Sequence, residues 1–405
     1  VKKILAALLV TTTASAGGLG RPNIISARGV GFGGAFTAIA DDPTALYFNP
    51  GGLSDVEPQA DVGGELVVGP RSYTPVATDG TKGPKQSATA VAPVPAIGVV
   101  GRFNGSDDRP SALTLGAGVW NTFGGQISFP KTGQPALDST QDAALEATAG
   151  AALRISDKLS IGGAVRVGIG LFSLDATMMP FDANVSASGV GLGAALGATV
   201  KPTDNIRIGV AWRSPLHIST TGNGTVTMPS GPTPEEIAHD QHWPQQASLG
   251  VAVLPEPTIR LAAQVDWTQW STVHDLVVSF PAAPLLDQTY REDWKDSWTA
   301  RAGAEFAVSP AVALRGGAYF DSHAVPDRTI ERQYLDSNKV GIAVGTSIRA
   351  AGWRVDAAID TVLPSTRSVP NNTTSSAAFP ADINKAPGDY SGTLVTFELA
   401  VAHPL

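Results

Sequence analysis

The sequence predicts an all-β membrane protein, a closed 14-stranded antiparallel transmembrane β-barrel with a small helical segment before it. Three observations predict this. Long stretches alternate apolar and polar side chains with a period of two, tight turns alternate with longer connections, and one compact stretch, Ala27 to Leu53, breaks the pattern with glycines and helix punctuation. A soluble sandwich also alternates, with its apolar face inside. The connections separate the two, because short turns on one side and long loops on the other are the habit of outer-membrane barrels.

Residues 1–16 read as a signal peptide: Val1-Lys2-Lys3 is a basic start, Ile4 to Val10 an apolar run and Ala14-Ser15-Ala16 a cleavage site. Residues 17–57 form the helical segment. In it Gly29, Gly33 and Thr37 fall on one helical face, so the helix is expected to press its backbone against a neighbour. Asp42 and Pro43 fit an N-cap and first helical position, and Asn49-Pro50-Gly51-Gly52 closes a second short helix. The Gly-x-Gly-x-x-Gly match at Gly29, Gly31 and Gly34 lacks the preceding strand and following βαβ unit that dinucleotide binding requires.

Residues 58–405 form the barrel. Strands are expected near 59–68, 91–103, 111–121, 142–155, 158–177, 182–202, 205–220, 245–254, 257–267, 298–308, 311–321, 338–350, 352–363 and 390–402. Leu159, Ile161, Val165, Val167 and Ile169 share one face of their strand, against Ser160, Gly162, Ala164 and Arg166 on the other. Tight turns fall at Ser156-Asp157, Thr203-Asp204, Pro255-Glu256, Ser309-Pro310 and Ala351. An even strand number returns the C-terminus to the periplasmic side, so Val273 to Phe280 is assigned to an external loop. His239 and His242, with Glu235, Glu236 and Asp240, read as a solvated acidic loop helix rather than a metal site.

The helical stretch, with its Gly-rich helix, Ala-Asp-Asp element and Asn49-Pro50-Gly51 turn, resembles the N-terminal hatch of the long-chain fatty acid outer-membrane transporter family (FadL/OMPP1/TodX type), whose turn reads Asn-Pro-Ala. Blocks from Leu115 to Gly124, Ile155 to Gly162, Asp266 to Ser271 and Asp293 to Gly317 are similar to successive family blocks. The C-terminus, His403-Pro404-Leu405, departs by lacking the usual terminal aromatic. The resemblance implies a hatch that plugs the lumen and moves when substrate binds, with Gly29, Gly33, Asp41, Asp42, Asn49, Pro50 and Gly51 as its marked residues. It also implies a kinked third strand through which substrate leaves sideways into the bilayer.

Function follows as an expectation: passive uptake of a hydrophobic compound, first a long-chain fatty acid, with aromatic hydrocarbons, alkanes or a polar-solute porin as alternatives. Arg166, Arg213, Arg301 and Arg315 point into the lumen if the apolar faces meet lipid. Guanidinium binds carboxylate bidentately, whereas cross-strand ion pairing is the plainer use of the same residues. Pro93 and Pro95 lack donors along one edge of strand two, and Gly116 and Gly118 supply a bend in strand three, so a lateral opening is expected there. Phe129, Leu285, Leu286 and Phe379 are the expected capture residues on external loops. No nucleophile elbow, His-Glu-x-x-His motif or cysteine is present, so no enzyme activity and no cofactor are expected. A net charge of −8 without a basic block argues against nucleic acid. The expected partners are the substrate, outer-membrane lipid and lipopolysaccharide, and the barrel-assembly machinery, for a monomer.

Overall fold

A computed structural model of the chain describes residues 25–77, 79–103, 113–131, 136–177, 182–370 and 387–405. The expected signal peptide and Phe379 lie outside the described residues. The plug comprises α1 (Ala27–Gly31), α2 (Ala45–Phe48) and a 3-10 helix (Pro50–Asp55). Strands follow as β1 (Gln59–Pro75), β2 (Gln86–Phe103), β3 (Leu113–Ser128), β4 (Ala136–Ser156), β5 (Leu159–Thr177) and β6 (Asp182–Thr203). Next come β7 (Ile206–Arg213), β8 (Leu216–Met228), β9 (Gly231–Trp243), β10 (Gln246–Glu256), β11 (Ile259–Thr268), β12 (Asp275–Ser279) and β13 (Gln288–Arg291). The last are β14 (Ser297–Ser309), β15 (Val312–Asp321), β16 (Lys339–Ala350), β17 (Trp353–Val369) and β18 (Gly388–Pro404).

The sheet closes on itself, since β1 pairs with β2 on one edge and with β18 on the other, from Gln59↔Pro404 to Pro75↔Gly388. Four strands stand outside the wall. β7 pairs directly with β10 and β11 directly with β14, so β8, β9, β12 and β13 belong to an external extension and the wall has 14 antiparallel strands. Pairing β1 with β18 removes the two free ends that an open sheet would present to a bilayer. Tight turns of two residues join five pairs of wall strands at one end. One of them, Ala351-Gly352, has both φ angles positive, as the mirror-image hairpin turn demands.

Sidedness follows from exposure. Val165, Val190, Leu192, Val344 and Leu399 stand exposed on the outer surface, while Arg166, Glu146 and Arg315 are buried inside. The apolar face is therefore the lipid face. Strands β1 to β6 run 17, 18, 16, 21, 19 and 22 residues, about twice the length a tilted strand needs to cross. The surplus lies at the long-loop end. There the clusters around Phe172, Val185, Ile237 and Phe280 fill the space between the projecting strands.

One expectation about this extension is corrected. The segment expected as an acidic loop helix is β9, paired along its length with β8 and at Ala238 and His239 with β12. His239 is buried and His242 exposed on the opposite face, so the pair cannot share an ion. Val273 to Phe280, expected outside the wall, does lie in the extension, where it carries the short strand β12. The interruptions at Ser214-Pro215 and Pro244-Gln245 lie opposite one another, and ring nitrogens without hydrogens explain why β7 and β8, and β9 and β10, are separate strands.

Val344 stands mid-strand on the lipid face. Replacing Val344 with Arg is expected to cost about 2–4 kcal/mol of unfolding free energy, the price of a charge near the bilayer midplane. Guanidinium titration in lipid vesicles measures it, and a change below about 0.5 kcal/mol would place that face inside.

Candidate functional site

The plug sits against glycine. A Cβ built on Gly162, Gly197, Gly209, Gly303 or Gly317 would lie 2.2–2.3 Å from a plug atom: the Pro50 carbonyl, the Asn49 amide, the Thr37 carbonyl, the Phe32 carbonyl or the Gly33 nitrogen. Each glycine faces inward on its own strand, so together they form a seat no other residue could make. Gly51 answers from the plug side, where a Cβ would lie 2.8 Å from Ala198 Cα. The helix expected to carry Gly29, Gly33 and Thr37 on one face is corrected here. α1 is capped by Ser26, which accepts from the Gly29 N–H at 3.2 Å, and it ends at Gly31. Gly33 and Gly34 then take φ of 64° and 79°, and Thr37 N–H donates to Gln264 at 2.9 Å from a turn. Gly29 packs on the Phe48 ring, whereas Gly33 meets the backbone of β15.

Polar groups fix the plug in place. The Asn49 side chain donates to the carbonyls of Thr37 at 2.9 Å and Ala198 at 3.1 Å and to the Thr199 hydroxyl at 3.0 Å, and accepts from Gly51 N–H at 3.0 Å. Asp42 accepts from Thr44 N–H at 2.9 Å and from Ser26 Oγ at 2.7 Å, so it opens the turn before α2, with Thr44 rather than Asp42 in the cap position. Asp41 takes Arg28 at 2.9 Å and Arg260 of β11 at 2.7 Å. Burial works against that carboxylate, but Arg28 and Arg260 outweigh it and hold it well below the usual carboxylate range. The pairing continues around the wall. Arg260 reaches Glu305 at 3.4 Å, Arg315 reaches Glu305 at 2.6 Å, and Arg354 bridges Asp356 at 2.7 Å and Asp61 at 3.2 Å.

Among the described residues, the wall is open beside this plug. The β2–β3 ladder runs from Phe103↔Leu113 to Ile97↔Val119 and stops. From there β2 continues against β1 alone, through Gly64↔Pro95 and Leu66↔Pro93 to Tyr73↔Gln86. Because that ladder is unbroken, the nitrogens of Pro93 and Pro95 face the edge β3 has left. β3 continues against β4 with Thr122 as an extra residue between Asn121↔Leu145 and Phe123↔Ala144. The Thr122 hydroxyl donates to Glu146, and Trp120 to Gly124 are all buried, which breaks the alternation and carries the strand inward. This corrects the expected bend. Gly116 and Gly118 keep regular register with Val100 and Gly98, Gly118 makes room for the Trp120 indole, and the turn-in falls at Asn121 to Gly124.

Plug residues Ile25, Ser26, Pro43 and Thr44 cover the gap from inside, against Val94, Pro95, Ala96 and Trp120. The space left is about 40 Å³, enough for a few waters. On the lipid side an apolar groove shares Ile97 and Gly98 with it and continues past Val119 and Val165.

Toward the external mouth lies an aromatic cage. Phe123 stacks on Trp243 at 5.1 Å, Trp270 meets Trp294 edge-on at 5.2 Å, and Tyr334 closes on Trp294 at 6.1 Å. Tyr334 arrives on the 322–338 connection, which folds into the mouth. Arg332 there donates to the Leu137 carbonyl and to Gln86, each at 2.5 Å, and Lys339 pairs with Asp336 at 2.5 Å.

The four nominated arginines all lie inside, each already holding a carboxylate of the chain. Glu146 takes Arg166 at 2.6 Å and Arg213 at 2.8 Å, Asp266 takes Arg301 at 2.6 Å, and Glu305 takes Arg315. Arg213 also lies over the Tyr47 ring of α2, at 4.1 Å. Among the capture residues, Leu285 is fully exposed and Leu286 half-buried, but Phe129 is buried under Arg332, 5.0 Å from its ring. Phe129 is thus a packing residue of the β2–β3 top with Ala88 and Ile127. Nothing in the sequence pattern marks Glu146, Thr122 or the cage as a group, because register and packing bring them together. Trp270 and Trp294 do lie in two of the blocks that carried the family resemblance.

The profile described as outer membrane protein transport protein (OMPP1/FadL/TodX) matches residues 7–400. Among solved structures, the fold is similar to a Pseudomonas aeruginosa FadL homologue, at 15% identity and a TM-score of 0.81, covering 96% of this chain and 99% of that one. It is also similar to the Ralstonia pickettii toluene transporter TbuX, at 17% identity and 0.71, covering 95% and 99%. The Pseudomonas putida toluene transporter TodX gives 17% identity and 0.71, covering 98% and 100%. A search of curated proteins finds no match.

Asp41→Asn leaves Arg28 buried with its main counter-charge gone, so it is expected to cost about 3 kcal/mol and to raise single-channel leak. The depressed Asp41 value sets the pH sense: its contribution is complete above about pH 4 and is lost as pH falls through the folded value. Planar-bilayer recordings of the unsubstituted chain should stay closed from pH 7 down to about 4.5. Opening near pH 6 would contradict the assignment.

Proposed function

We propose, for a chain that belongs to the OMPP1/FadL/TodX family of outer membrane transport proteins, passive uptake of hydrophobic small molecules across the bacterial outer membrane, with small aromatic compounds as the class its lumen fits best. The observation that carries the choice is the cage of Phe123, Trp243, Trp270, Trp294 and Tyr334 inside the mouth. Flat rings offer a flat solute offset-stacked and edge contacts that an alkyl chain cannot use. TbuX and TodX, similar in fold, are toluene transporters by name. A long-chain fatty acid, which the resemblance suggests first, needs a cation for its carboxylate. Arg166, Arg213, Arg301 and Arg315 would each have to release a partner at 2.6–2.8 Å to provide it. A polar-solute porin is disfavoured by a lumen filled with plug.

The route we propose starts at Leu285 and Leu286, passes the cage, and leaves sideways between β2 and β3. The plug's first residues and the Pro43 turn shift off the gap, and the solute enters the apolar groove on the lipid face. No aqueous exit is needed, since a hydrocarbon's destination is the bilayer itself. The concentration gradient drives the step, and the outer membrane supplies no nucleotide.

Deleting the gene and following labelled toluene and oleate into whole cells tests the reading. Toluene uptake should fall severalfold with oleate uptake unchanged. Loss of oleate uptake alone would overturn the aromatic assignment, and normal uptake of both would overturn transport of either class.

A further inference from the structure

We propose that the cage selects aromatic molecules that carry a hydrogen-bond donor, phenols and anilines, through two facing acceptors, Asp142 and His239; this rests on the aromatic reading above and narrows it. His239 of β9 is 4% exposed, with Phe172 packed on its ring at 4.1 Å between centroids. Its Nδ1 lies 2.8 Å from the Val277 carbonyl oxygen. A carbonyl can only accept, so Nδ1 carries the hydrogen and donates, which leaves Nε2 as a bare acceptor. Nε2 is buried without a protein partner, 4.0 Å from Asp142 Oδ2. That separation is too long for a hydrogen bond between them. The other Asp142 oxygen, Oδ1, is already satisfied by the Gln241 amide at 2.5 Å, and Gln241 is fixed in turn by the Leu171 carbonyl at 3.0 Å.

Two acceptors that face each other across 4.0 Å ask for a donor between them. A hydroxyl donates to one and an amino group to both. Trp270, Trp294 and Tyr334 line the same cavity, which measures about 40 Å³ as it stands, so these rings move apart to admit the ring attached to that donor. A carboxylate brings a third acceptor and is repelled. A bare hydrocarbon leaves His239 Nε2 buried and unpartnered, which favours the donor-bearing analogue by about tenfold or more. The geometry therefore ranks three molecules of nearly one shape: p-cresol above toluene, and both above p-toluate.

Equilibrium dialysis of the full chain in micelles, against protein-free micelles, measures that ranking with each labelled compound. Asp142→Asn and His239→Gln are compared after their barrels are shown to be folded by heat-modifiable gel mobility. The expected result is p-cresol bound at least about tenfold tighter than toluene, with the preference reduced in either variant while toluene affinity holds. Equal binding of p-cresol and toluene, or a preference that survives in both variants, overturns the inference and leaves the aromatic reading standing. Binding of none of the three overturns both. If neither variant folds, the ranking by the unsubstituted chain decides alone.

Discussion

The plug's backbone touches the wall's backbone, and the rest of the molecule is arranged around that contact. Inward glycines on β5, β6, β7, β14 and β15 admit the plug to distances at which any Cβ would collide. Close approach gains dispersion over a long stretch of chain and lets Asn49 bridge plug and β6 with its own amide. It also costs the wall side-chain cross-strand pairs at those positions, a loss the closed ladder can bear because its hydrogen bonds do not depend on side chains. The plug's position in turn decides where the gap is covered, since Pro43 meets Gly98 at the last paired rungs of β2.

Charge follows the same logic. The arginines of the barrel interior are neutralised by carboxylates of the chain itself, Glu146, Asp266, Glu305, Asp356 and Asp41. Removing one member leaves a buried charge, so these pairs hold a shape more than they contribute net stability. The Glu146 group shows the use of such a fixture. It takes Arg166 from β5 and Arg213 from β7, and its contact with Thr122 holds β3 in its inward turn. The same carboxylate therefore neutralises two lumen cations and maintains the breach.

The fourteen wall strands were legible because lipid imposes a period of two and turns impose punctuation; each expected strand lies within a few residues of an observed one at its periplasmic end. Above the bilayer that constraint lapses. Strands β8 and β9 are wetted on one face and interrupted by Pro215 and Pro244, so their pattern reads as loop. The site was legible where backbone chemistry writes itself into residue type, at Asn49-Pro50-Gly51, Asp41 and the Pro93/Pro95 pair. It was opaque where partners come from register. Arg166 sits opposite Thr148 and reaches diagonally to Glu146, a relation fixed only when β4 and β5 are aligned. The helix was overestimated because Gly33 satisfies helical spacing and left-handed φ equally well, and only its contact with Ala318 decides.

On the proposed route, solute leaves through the wall while the Asn49 end of the plug stays seated. The chain has no cysteine, so a single engineered pair can be read cleanly. Asn49→Cys with Thr199→Cys places two thiols where an amide and a hydroxyl now lie 3.0 Å apart, joining plug to β6. Toluene uptake is then compared between oxidised and reduced cells. Uptake should persist with the crosslink formed, because the moving residues are those near Ile25 and Pro43. Uptake abolished by oxidation and restored by reduction would contradict it, and would mean that the plug must leave its seat.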